Sequence, residues 1–332
     1  MSKRKWALHT SILVGFALSG LFLWLALRQV NLVELTRVFT EINLVPVLLS
    51  AVAVAGSMAL RAMRWRLITG LPRGRHRQFA RATYLGVLVN LLLPGRVGEA
   101  VRVVTLARIS GSSLTLPLAS AVIDRLVDVT VLIICAGGLF LTLPVDRVLS
   151  GWLTNLLAGG LVIAAGLTFF LKGAEFWEQR LKALTARWLE RWSLRPDVFL
   201  CELRHEFHEL MGGWMTLEVA AVAMAILGCD YLTVAALFTA LAIPLSPTAP
   251  LLVFVCLAAG SALPSAPGYV GVYQAAAVVA LAFYSQTAES AVALATVLQL
   301  VTLAVALLMN GRGALGLTRL VRIAVAGQGK SR

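Results

Sequence analysis

Apolar positions along the chain gather into long runs separated by short polar segments. The runs lie at about 6–27, 44–68, 114–143, 151–171, 214–243 and 289–309. A membrane-spanning helix needs about 20 consecutive apolar residues, so six full spans are expected. The first run follows Lys3, Arg4 and Lys5 like a signal peptide. It is too long for a signal sequence and no small-residue cleavage site follows, so it reads as a retained span. The segment 28–43 has loose helical spacing of Val30, Val33, Val38 and Ile42, which suits a helix lying at the interface.

Two stretches break the pattern. From Phe79 the chain is apolar only as far as Leu93, then reads Pro94-Gly95-Arg96-Val97-Gly98-Glu99, and a second short helix is expected to run to Arg108. About 15 helical residues cover about 22 Å, short of a hydrocarbon core of about 30 Å. The stretch 248–284 repeats this, breaking at Pro264-Ser265-Ala266-Pro267-Gly268-Tyr269-Val270-Gly271. Each break contains Pro-Gly-x-Val-Gly, and each is read as a re-entrant hairpin that enters and leaves on one side. Counting spans places the first hairpin on the cytoplasmic side and the second on the outer side. The expected fold is therefore all-α and integral to a membrane, with about six full transmembrane spans plus two re-entrant helical hairpins related as an inverted repeat. It forms a single transmembrane domain over 1–332, with repeat halves at about 44–143 and 214–310.

Composition agrees with a membrane chain. Hydrophobic residues make up 59% and charged residues 14%, where soluble domains are about half apolar and a quarter charged. The net charge of +13 raises the question of nucleic acid, but no nucleic-acid fold signature accompanies it. The basic residues instead cluster between runs. Positions 61–81 hold seven Arg and no acid, and Arg312, Arg319, Arg322, Lys330 and Arg332 fall in the tail. Cytoplasmic loops are enriched in Lys and Arg. Both termini and the basic loops are thus expected in the cytoplasm, in a multi-pass protein of the cytoplasmic (inner) membrane. The segment 172–213, with seven basic and seven acidic residues, reads as amphipathic and cytoplasmic.

Cofactor and metal chemistry find no support. Cys135, Cys201, Cys229 and Cys256 are scattered, with no metal or disulfide spacing. Residues 201–209 contain Glu202-x-x-His205 but not the His-Glu-x-x-His spacing that sets two imidazoles over zinc. They read as a solvated amphipathic helix.

The candidate site follows from the broken helices. Backbone groups that leave a helix at membrane depth must be satisfied by protein or by a water-filled cavity. Broken helices at matching places in two inverted halves point to a transporter's substrate site. Gly95, Gly98, Gly268 and Gly271 allow tight turns, and Pro94, Pro264 and Pro267 remove donors. Arg96 and Arg102 are expected to bind a phosphate, with Glu99 paired to one of them or to Arg125. Asp124 and Asp128 share a helix face, with Arg125 beside them. Asn90, Ser261, Ser265, Tyr269, Tyr273 and Gln274 are neutral candidates to line the cavity. Arg61, Arg64 and Arg66, beside Trp65, read as interface anchors.

These residues resemble a known family. Arg61-x-x-Arg64-Trp65, Asn90-Leu-Leu-Leu-Pro94-Gly95-Arg96-Val97-Gly98-Glu99-x-x-Arg102, Asp124-Arg125-Leu126-Val127-Asp128 and Pro264-x-x-Pro267-Gly268-x-x-Gly271 look like the transmembrane region of the lysylphosphatidylglycerol synthase/flippase family, over about 6–320. The resemblance implies lipid handling in the cytoplasmic membrane. The chain ends shortly after the last span, without the aminoacyl-transferase domain of the synthases, which argues against this chain making lysyl lipid; it is expected not to be an enzyme. The family's second hairpin reads Pro-Gly-Gly-x-Gly-x-x-Glu; here Tyr269 and Gln274 replace the second Gly and the Glu. The expected function is a flippase for a phospholipid or other polar-headgroup lipid, with membrane lipids as partners, no nucleic acid and no cofactor. The alternatives are a membrane subunit that presents a lipid acceptor to a separate lipid-modifying transferase, and a non-transporting scaffold. An oligomer is compatible with either.

Overall fold

The fold was read from a computed structural model. It describes residues 16–28, 30–71, 73–94, 96–143, 196–262 and 266–311, with isolated positions at 151, 154, 158 and 159. Most of the span expected at 151–171, the start of the run at 6–27, most of the segment 172–213, the basic tail, Gly95, Pro264 and Ser265 lie outside the described residues.

Every regular element among the described residues is a helix. In chain order these are α1 (Phe16–Leu27), α2 (Leu32–Thr40), α3 (Leu44–Ile68), α4 (His76–Leu92), α5 (Val97–Ser110), α6 (Thr115–Thr142), α7 (Pro196–Met211), α8 (Trp214–Ala240), α9 (Ala249–Ser261), α10 (Val272–Ala282) and α11 (Ala288–Asn310). The chain is an integral membrane protein: α3, α8 and α11 are each long and apolar enough to cross a bilayer. Helix α6 has a spanning length of 28 residues and carries Asp124, Arg125 and Asp128 in its first half. Helices α1 and α2 meet at 88°.

Local signals set the helix starts. Asn31 and Asn43 cap α2 and α3 by accepting the Val33 and Val45 N–H groups, and the Thr287 hydroxyl accepts from Ser290 at α11. Each cap satisfies a donor the helix leaves open.

The two breaks turn where Pro-Gly-x-Val-Gly occurs. Helices α4 and α5 pack on each other across the first, α9 and α10 across the second. The third motif residue is left-handed in both, Arg96 with φ 56° and Tyr269 with φ 60°. A side chain there costs roughly 1–2 kcal/mol. The last motif glycine is capped by an amide in both. The Gly98 N–H donates to Asn90 Oδ1 at 2.7 Å, and the Gly271 N–H donates to Gln274 Oε1 at 2.8 Å.

Helix α3 lies along α8 at the centre. Around this pair, α6 packs on α9 while α11 packs on α4, and α7 lies on α6 while α2 lies on α11. The main apolar core, including Leu237, Phe238, Leu252, Val255, Leu281 and Leu294, fills the space where α8 to α11 meet α3, α4 and α6. Trp65, Phe79 and Leu106 form a smaller core under the first hairpin.

The first hairpin closes only because two glycines meet. A Cβ on Gly98 would run into the Gly86 carbonyl and come within 2.5 Å of Asn90 Oδ1. Gly98→Ala is expected to destabilise the fold by about 1–3 kcal/mol, the usual cost of overpacking. Gly138→Ala, with nothing within 4 Å of the added carbon, is expected to be neutral or slightly stabilising. Thermal unfolding of both variants in detergent checks the contrast.

Candidate functional site

Ser57, Arg61 and Arg64 stand at i, i+4 and i+7 on α3, so they share one helix face. That face turns toward α6 and α8. Arg61 Nη2 donates to Asp230 Oδ2 on α8 at 2.7 Å, and the Ser57 hydroxyl donates to Asp230 Oδ1 at 2.6 Å. Arg64 donates to Asp124 at 2.8 Å and to Asp128 at 2.5 Å, both on α6. From the first hairpin, Arg102 Nη2 donates to the other Asp124 oxygen at 2.8 Å. Glu99 pairs with Arg125 at 2.8 Å and Arg102 at 3.4 Å, and Arg125 also reaches Asp128 at 2.9 Å. Ion pairs thus tie α3, α5, α6 and α8 together.

The network has a dry end and an open end. The Arg64 and Asp124 side chains are 1% and 2% exposed, whereas Arg125 and Glu99 are 45% and 35% exposed. At the dry end the Arg102 guanidinium also lies 4.5 Å over the Trp65 ring. The Trp65 indole N–H donates to the Ser120 hydroxyl on α6 at 3.0 Å.

Arg96 sits beyond the open end, at the turn. It is exposed and donates to the Ser261 hydroxyl of α9 at 3.0 Å. The tips of the two hairpins therefore meet. Tyr269 and Tyr273 stack with ring centroids 5.0 Å apart and 10° between planes. Arg96, Glu99 and Arg125 are the charges near Tyr269, and Arg96, Arg61 and Asp230 are near Tyr273.

The residues singled out from sequence divide by position. Glu99, Asp124, Arg125 and Asp128 fall in one network. Arg102, expected beside Arg96 on a phosphate, is instead buried and turned to Asp124 and Glu99. Asn90, Gly98, Gly268, Gly271 and Gln274 shape the turns, and Pro94 and Pro267 open them. Gln274 Nε2 donates to Gln299 Oε1 at 2.8 Å, and Gln299 Nε2 donates to the Gly268 carbonyl at 2.8 Å. Arg61 and Arg64, read as interface anchors, are members of the buried network. Asp230 and Ser57 were missed as their partners. The available signal was a lone Asp230 in an apolar run, since a carboxylate at that depth requires a partner.

This pattern of breaks and buried charges covers the stretch that matches the model of the lysylphosphatidylglycerol synthase TM region, residues 12–309. The chain belongs to that family. Its role is accordingly tied to membrane lipid. No curated protein and no solved structure matches the chain. In this family member, the motif residues are split between turn-shaping groups and an ion-pair network.

Helix α7 departs from expectation in one respect. It is not solvated all round: Leu203 and Glu206 face inward, 6% and 3% exposed, where α7 docks on α6. Burial, and then the Glu202 carboxylate, push the Glu206 carboxyl up from 4.5 to about 9. Both its oxygens lack a hydrogen-bond partner among the described residues.

Two predictions follow from these contacts. Asp124→Asn leaves Arg64 and Arg102 short of a charge partner and is expected to cost about 3–5 kcal/mol, as breaking a buried pair does, read by thermal unfolding. Glu206 is held protonated in the folded chain, so its penalty is absent below about 4.5 and grows as pH rises toward about 9. Glu206→Gln is expected to match the parent at pH 4 and to exceed its stability increasingly above pH 5, in melts across that range.

Proposed function

We propose that the chain is a lipid flippase that passes the polar headgroup of a membrane lipid between two re-entrant hairpins. The observation that carries this reading is the contact of the hairpin tips, where Arg96 of the first break reaches Ser261 of the second at 3.0 Å. Two broken helices meeting beside polar side chains offer a route for a headgroup that the surrounding apolar helices do not. In this reading Arg96 holds the phosphate, Glu99 and Arg125 set the charge at the entrance, and the buried Arg64–Asp124–Arg102 group is a fixed wall.

The pairing of helices supports an inverted repeat. Exchanging α2–α6 with α7–α11 maps α4–α5 onto α9–α10, α3–α4 onto α8–α9, and α6–α9 onto α11–α4. It likewise maps α6–α7 onto α11–α2. Of the extensive helix pairs only α7–α8 lacks a counterpart. The matched left-handed residues Arg96 and Tyr269 fit the same relation. With six spans and the basic loops inward, the termini lie in the cytoplasm and the protein in the inner membrane. The chain acts on lipid by itself and not as an enzyme.

The test is translocation of labelled lipids in liposomes holding the purified protein. The parent is expected to speed loss of outer-leaflet label. Arg96→Ala is expected to abolish this with its melting temperature unchanged, because the exposed Arg96 lies outside the ion-pair network. Unchanged transport in that variant would remove Arg96 from the site. Absence of transport by the folded parent would favour a subunit that presents lipid to a separate enzyme.

A further inference from the structure

Among the described residues, the charges that meet at the hairpins do not balance. The carboxylates Glu99, Asp124, Asp128 and Asp230 stand against the guanidinium groups of Arg61, Arg64, Arg102 and Arg125, each held by at least one ion pair. Arg96 is the fifth cation. Its direct partner is the neutral Ser261 hydroxyl, and no carboxylate among the described residues forms an ion pair with it. The second turn adds no negative charge to offset it. Gln274 and Gln299, which brace that turn, are amides whose donors and acceptors are taken up by Gly271, Gly268 and one another. The surface beside Arg96 is the Tyr269–Tyr273 pair, which offers hydroxyls and ring faces and no charge.

From this imbalance we propose that the site selects a lipid headgroup of one net negative charge and rejects a net cationic one. The selected group is a phosphodiester seated at Arg96, with a neutral, hydroxyl-bearing remainder against Tyr269 and Tyr273. The inference rests on the headgroup site of the preceding subsection and names its substrate class. The physical reason is charge neutrality at membrane depth. A charge at membrane depth is costly unless paired. A monoanion brings the group of five guanidiniums and four carboxylates to neutrality. A cationic headgroup finds each carboxylate already engaged and meets Arg96 as a like charge, so it could enter only by displacing an arginine. Specificity then comes from repulsion as much as attraction.

The experiment is a binding measurement on the full chain in nanodiscs of phosphatidylcholine, by native mass spectrometry. The added lipids share one acyl composition: phosphatidylglycerol with net charge −1 and lysylphosphatidylglycerol with net charge +1. Diethyl phosphate, a phosphodiester without chains, is the soluble arm. The expected result is at least tenfold tighter binding of phosphatidylglycerol than of the cationic lipid, weakened by salt. Arg96→Gln, which keeps a donor for Ser261, is expected to erase the preference, and Arg96→Lys to keep most of it. Equal binding of the two lipids, or a preference that survives Arg96→Gln, overturns the proposal. Diethyl phosphate binding as tightly as the lipid would assign the anion to a soluble source and overturn its lipid part. Binding is read without translocation, so a preference that holds in a chain that moves no lipid would fell the flippase reading alone.

Discussion

Asp124 accepts from two arginines at once, Arg64 of α3 and Arg102 of α5, in a setting where all three side chains are nearly sealed from the surface. A buried carboxylate between two guanidiniums is stable only while every member keeps its partner. This makes the position of α3, the first hairpin and α6 mutually dependent. The hairpin cannot swing away without stranding Arg102, and α6 cannot rotate without stranding Arg64. The network therefore reads as scaffold at its dry end. The exposed part of the network is its other end, at Glu99 and Arg125, with Arg96 beyond it.

The turns show the same division between holding and exposing. Gly86 and Gly98 let the backbones of α4 and α5 touch, and Asn90 closes the donor that the turn opens. The second turn is closed from below by Gln274 and Gln299. Arg96 and Tyr269, the two side chains in left-handed positions, are the ones that point their polar ends toward the meeting of the hairpins. Backbone strain of this kind persists where the surroundings over-determine it. Here the surroundings are the glycines, the amide caps and the packed helix pairs.

Much of the architecture was legible before any coordinates. Long apolar runs specify helices that cross a membrane, because hydrocarbon leaves the backbone no other partner than itself. The two short runs ending in Pro-Gly-x-Val-Gly specify broken helices for the same reason. The candidate residues on the first hairpin and on α6 were visible as charges that an apolar setting must pair. Less visible was which charge takes which partner. Arg61 and Arg64 sit near the end of an apolar run beside Trp65, and that local context is the same for an arginine reaching water and one reaching Asp230 or Asp124. Residues 201–209 posed the same difficulty, since a charged face does not disclose that Glu206 turns inward.

What the sequence determined by itself is the membrane, the helices, the places where they break and the family to which the chain belongs. These are consequences of local composition and spacing. Tertiary structure decided that Arg102 is buried against Asp124 while Arg96 stays exposed beside Ser261. It also decided that Ser57, Asp230, Ser261 and Gln299 belong with the motif residues, and that the two hairpin tips touch. The physical reason is the distance over which each is set. Hydropathy and turn chemistry act within a few residues. An ion pair such as Arg61 with Asp230 joins positions 169 apart in the chain, and only the packing of α3 on α8 brings them together.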